Sequence, residues 1–165
     1  AKQIALYAKK TGAAESGTLI SGFESQVQSQ RQWVFAHREQ VVGYVAPAQL
    51  SFSAAFARLD QLELVPLYWV KSGEKWQFLF APEDAHGHVK LQKSQWEPLP
   101  GKGTVTAVAN GLGQDLAAVR QTIDLVEEKS IPDQVHVTEN SVTFVLPSAQ
   151  ILQVLKVLHH ELNNG

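Results

Sequence analysis

Residues 103–162 read GTVTAVANGLGQDLAAVRQTIDLVEEKSIPDQVHVTENSVTFVLPSAQILQVLKVLHHEL, and this stretch decides the fold. Its apolar opening, 104–109, is a strand, and 110–115 (Asn-Gly-Leu-Gly-Gln-Asp) is a turn. A helix over 116–129 follows, with Ala117, Val119, Ile123, Leu125 and Val126 as apolar positions, until Ile131-Pro132-Asp133 breaks it. Strands at 135–137 and 142–146 flank the turn residues Glu139-Asn140. A last helix, 148–162, repeats Ile151, Leu152, Val154, Leu155 and Leu158 at helical spacing. The order β-α-β-β-α is one strand short of a ferredoxin-like unit, so another part of the chain must supply that strand.

Working outward, the middle of the chain repeats the pattern. Residues 32–36 and 41–45 read as two strands joined by His37-Arg38-Glu39. Ser51 is placed to cap a helix that presents Phe52, Ala55, Phe56 and Leu59 on one face. Segments 64–70 and 76–80 form a hairpin, and 82–100, weakly patterned and broken by Gly87, Pro98 and Pro100, reads as a linker. Near the start, 3–8 reads as a strand, 11–17 as a loop and 22–30 as a polar connector. The expected fold class is α+β: two ferredoxin-like βαββαβ units, one inserted in the other. Residues 1–20 and 101–165 make one unit, with 3–8 as its missing strand, and 21–100 make the inserted unit and its linker.

Composition narrows the function classes. The 165 residues carry 14 Lys and Arg against 16 Asp and Glu, so no basic field attracts nucleic acid. An apolar content of 44% supports a packed core, and no run reaches the roughly 20 residues that span a bilayer. The absence of Cys excludes disulfides and thiolate metal sites and is compatible with a reducing cytosol. With no Met in the chain, Ala1 is not an initiator, and the sequence reads as a piece of a longer or processed protein. His86-Gly87-His88 and His159-His160 lack a third ligand at useful spacing, so no metal and no cofactor are expected. No nucleophile motif is present, and no catalytic residue is assigned.

Two segments resemble the regulatory region of aspartokinases, which carries tandem ACT domains. One is Ile4-Ala5-Leu6-Tyr7-Ala8 with its loop closing on Gly17-Thr18-Leu19-Ile20; the other is 142–147 running into Val154-Leu155-Lys156-Val157-Leu158-His159. Their order and spacing carry the resemblance over most of the chain. It implies a cytoplasmic allosteric region that forms homodimers and binds an amino acid, lysine or threonine first, between units. It also implies a kinase domain in the same parent chain, an aspartate kinase, with feedback control of aspartate-family amino acid biosynthesis. The alternative is an ACT-like dimerisation module that has lost its effector and serves another or a degenerate catalytic domain.

The effector residues implied are Asn110, Gly111, Leu112, Gly113, Gln114 and Asp115. Backbone N–H groups before a helix suit a ligand carboxylate, and Asp115 would take its ammonium. The same turn is equally a plain strand-to-helix connection, its glycines supplying backbone freedom and Asp115 capping the helix. A weaker site is expected at Gln49, Leu50, Ser51, Phe52, Pro66 and Leu67. There Ala48-Gln49-Leu50 replaces the family's acidic and small residues, a departure that removes groups the resemblance implies for holding an amino acid.

Overall fold

A computed structural model describes residues 31–163. The described elements run β1 (Val34–Val45), α1 (Phe52–Gln61), β2 (Tyr68–Ser72), β3 (Lys75–Phe80), α2 (Ala85–Lys93), β4 (Glu97–Val108), α3 (Leu116–Glu127), β5 (Gln134–Val137), β6 (Ser141–Pro147) and α4 (Ile151–Asn163). The strands form one antiparallel sheet in the order β2-β3-β1-β4-β6-β5. This is two ferredoxin-like sheets fused through two long strands. The second half of β1 and the first half of β4 complete β2-β3-β1-β4. The first half of β1 and the second half of β4 complete β1-β4-β6-β5.

That arrangement answers the strand count. The position beside 104–108 is filled by Val34 to Arg38, paired from Val34↔Val108 to Arg38↔Thr104, and β6 takes the other side of β4. Residues 3–8, to which the count assigns that position, lie outside the described residues. The inserted topology is present, with 34–38 as the strand that joins the C-terminal unit.

Two stretches depart from expectation. Residues 34–45 are one strand rather than two, because β4 runs alongside all of it; His37-Arg38-Glu39 marks a bulge, with register shifts between Arg38, Val41 and Gly43. The bulge switches the alternation, so Phe35 faces one helical core while Tyr44, even-numbered, faces the other. The expected linker 82–100 is instead a short 3-10 turn, helix α2 and the first part of β4. Pro98 and Pro100 are tolerated because β4 there is hydrogen-bonded on one side only, to β1, while its pairing with β6 begins at Lys102.

Each helix pair covers the outer face of its own half. Val105, Ala107, Val142, Phe144 and Leu146 pack against Val119, Val126, Ile151, Val154 and Leu158. In the other half, Tyr44, Phe78 and Phe80 pack against Ala55, Leu59, Leu91 and Trp96. The inner faces meet each other. Leu79 of β3 and Val145 of β6 share a buried cluster with Val41, joined by Leu67 and Tyr68. Beside it the Tyr68 ring stacks on His136 at 4.9 Å, and Gln134 Nε2 donates to Gln77 Oε1 at 3.3 Å. Strands far apart in sheet order are therefore in contact, and the sheet folds over on itself with helices outside.

Candidate functional site

The turn at 110–115 is held by the β5–β6 hairpin. Gly111 N–H donates to Asn140 Oδ1 (2.8 Å) and Gly113 N–H to the Glu139 carbonyl (2.8 Å). The N–H groups of Leu112, Gln114 and Asp115 bond to Ala109, Gly111 and Leu112 carbonyls at 3.0–3.1 Å. Five successive amides are thus taken from within the chain, so the expected row of open donors for a carboxylate is not there. Asp115 caps α3, its Oδ1 accepting from Ala118 N–H at 3.1 Å. Gly111 has φ +72°, a left-handed conformation, and any Cβ at Gly113 would collide with the Thr138 carbonyl. Leu112 is fully buried; Asn110 and Gln114 are exposed, next to Leu116 at 79% exposure. What the turn offers a partner is side chains rather than backbone.

The weaker candidate divides between two faces. Ser51 caps α1 through Ala54 N–H at 3.1 Å, as its position predicts, and Leu50 packs on the outer core. Phe52 lies against Trp76 and Phe56, with centroids 4.3 and 4.6 Å away. Gln49 is exposed. Leu67, however, belongs to the inner cluster, its N–H bonded to the Leu79 carbonyl, and Pro66 precedes it half-buried. The structure does not bring these six residues together.

Sequence reasoning passed over a third place. A cleft of about 360 Å³ opens between the inner faces, walled by Val70, Leu79, Leu99 and Val145. Its polar lining is Lys71, Ser72, Gln77, Lys102, Asp133 and Gln134. Lys102 Nζ lies 2.6 Å from Asp133 Oδ2. Gln134 is buried, its amide nitrogen on Gln77 and its oxygen accepting from His136 Nε2 at 2.8 Å. Burial lowers the His136 pKa. No local motif joins these residues; only the folding of the sheet does.

His88 is buried against the rings of Tyr44 and Phe80, each 5.7 Å away. Burial also raises the Tyr44 pKa, opposed by a hydrogen bond from Gln92.

Two βαββαβ units sharing long strands define the ACT-type fold of aspartate kinase regulatory regions. The structure matches the ligand-free regulatory subunit of aspartate kinase from Thermus thermophilus with a TM-score of 0.67 and 13% identity, over 76% of this chain and 94% of that one. It matches E. coli aspartokinase III in complex with aspartate and ADP with a TM-score of 0.64 and 13% identity, over 78% of this chain and 33% of that one. Clostridium acetobutylicum aspartate kinase gives 0.65 at 11% identity, over 78% of this chain and 34% of that kinase. Family models and curated proteins give no match to the sequence. At these identities the likeness establishes the fold.

Proposed function

We propose that this chain is the regulatory region of an aspartate kinase, sensing an amino acid and pairing with a second copy to set the activity of a kinase domain in its parent protein. The observation that carries this reading is the fused pair of ACT-type units, matched over nearly the whole of a kinase regulatory subunit. Feedback control of aspartate-family biosynthesis in the cytoplasm follows from it. Lysine is the first effector to try, since one similar structure is E. coli aspartokinase III with lysine and aspartate; threonine is the second. In this reading the effector sits beside 110–115, against the exposed side chains of Asn110 and Gln114, at a contact between copies. Pairing is supported by exposed apolar residues near that turn and along β5, namely Leu116, Val135 and Val137. Trp33 and Tyr44 pack in the chain's own cores. A second reading, a dimerisation module without effector, is favoured by the five internally bonded amides of the turn.

Thermal unfolding with each of the twenty amino acids separates the two readings. A ligand of the folded state at a hundredfold excess over Kd adds about 2.7 kcal/mol, a melting shift of several degrees. Asn110→Ala and Gln114→Ala should reduce that shift without lowering the unliganded melting temperature. No shift with any amino acid, together with a dimer by sedimentation, leaves the dimerisation module; a monomer at high concentration removes both.

A further inference from the structure

We infer that the cleft between the two inner faces is a binding site for a small zwitterion, a carboxylate and an ammonium on a short apolar body, held within one protomer. Its volume of about 360 Å³ lies in the range of small-molecule sites. The charge inside is balanced. Lys71 borders the cleft, but its ammonium lies over the Trp76 ring on the outer face, 5.9 Å from the centroid. That leaves one cation and one anion, Lys102 and Asp133, already in contact. A dicarboxylate or a diamine would leave a like charge unanswered, whereas a zwitterion answers both. Lys102 keeps donors and Asp133 keeps acceptor sites beyond their mutual bond, so a carboxylate can add to one and an ammonium to the other.

Two further features point the same way. Gln134, 9% exposed and fixed at both ends by Gln77 and His136, sets the polar wall before any ligand arrives. The opposite wall of Val70, Leu79, Leu99 and Val145 suits an apolar body. The lining is also divided between the units: Val70, Ser72, Gln77 and Leu79 come from β2 and β3, and Asp133, Gln134 and Val145 from the region of β5 and β6. A ligand here would touch both and bias how they pack, which is a coupling free energy in physical form. The site needs no second copy and none of residues 110–115.

The test is a titration of protein carrying labelled Leu and Val methyl groups, followed by NMR, with L-valine, L-threonine and L-lysine as probes. Isovalerate and isobutylamine are the halves of valine lacking ammonium or carboxylate. Saturable shifts of the Val70, Leu79, Leu99 and Val145 methyls are expected with L-valine or L-threonine at millimolar concentration, and a response to L-lysine alone would overturn the balanced-charge site. Each half-molecule should bind about tenfold more weakly or worse, the loss expected of a charge-assisted contact. Lys102→Met should abolish the response. Gln77→Leu, which leaves the ion pair intact, should weaken it if Lys102→Met fails to fold. A response confined to the Leu112 and Leu116 methyls would place the ligand at the turn and overturn the cleft. An equal response to valine and isovalerate, or none at the cleft methyls, would also overturn it. Cleft shifts that persist in Asp115→Ala support the cleft whatever becomes of the turn.

Discussion

His136 joins the two halves of the molecule through one ring. It stacks on Tyr68 from β2, and its Nε2 donates to Gln134. Burial lowers its pKa from the ordinary 6.5, so the folded protein holds it neutral while the unfolded chain protonates it near that value. The unfolded state then binds more protons, and stability must fall as pH drops through 6.5 toward the lowered folded value. Above 6.5 the contribution is complete, and below the folded value the loss levels off. Urea denaturation from neutral to mildly acidic pH should show this slope, and His136→Gln should flatten it. A variant with the wild-type slope would assign the pH dependence to another group. Nothing in Gln134-Val135-His136-Val137 announces this role, because the aromatic partner arrives from Tyr68, distant in sequence.

At the scale of elements, the turn before α3 and the β5–β6 hairpin form a clasp. Ala109 N–H donates to the Asn140 carbonyl, Gly111 N–H to the Asn140 side chain and Gly113 N–H to Glu139. Gly113→Val must push the Thr138 carbonyl away, and an overpacking cost of about 1–3 kcal/mol is expected. Chemical denaturation measures it; an unchanged midpoint would mean that the clasp yields freely. The same variant is a poor probe of ligand binding, since any lost response would follow from lost structure. The turn and the Asp115 cap were legible in sequence, as were α3 and α4, whose apolar spacing is regular. The clasp was not, since its acceptors lie in another turn. Helix α2 escaped for a related reason: over 87–93 its buried positions are Gly87, His88 and Leu91, and a glycine and a histidine there blur the apolar pattern. The bulge in β1 likewise hides under polar residues that imitate a turn.

For the molecule as a whole, the two units share β1 and β4, and their inner faces share a core of Val41, Leu79 and Val145 with a cleft beside it. The C-terminal unit is closed only by Val34 to Arg38, which precede the middle unit in the chain. The internal repeat and the insertion of one unit in the other were legible, because counting strands against a βαββαβ template leaves one vacancy. Which strand fills it was not. Residues 34–38 look like the start of the middle unit, and only the length of β4 reveals that they pair with 104–108.

The course of β1 also bears on how the chain could be rewired. Phe35 meets His159 of α4 with ring centroids 4.6 Å apart, and Trp33 packs in the same cluster as Leu162. The entry to β1 therefore lies beside the exit of α4, where a strand following that helix would begin. Transplanting residues 33–38 behind α4 through a short glycine-serine linker would write the C-terminal unit in uninterrupted order, β4-α3-β5-β6-α4-β1. Such a rearranged polypeptide, starting at Lys102 and omitting the middle unit, should fold by itself once Val41, Leu79 and their neighbours no longer cover Val145 and a polar residue replaces that valine. Cooperative thermal melting and dispersed amide spectra would report success, whereas the same fragment without the transplanted strand should stay molten, its Thr104–Val108 edge bare.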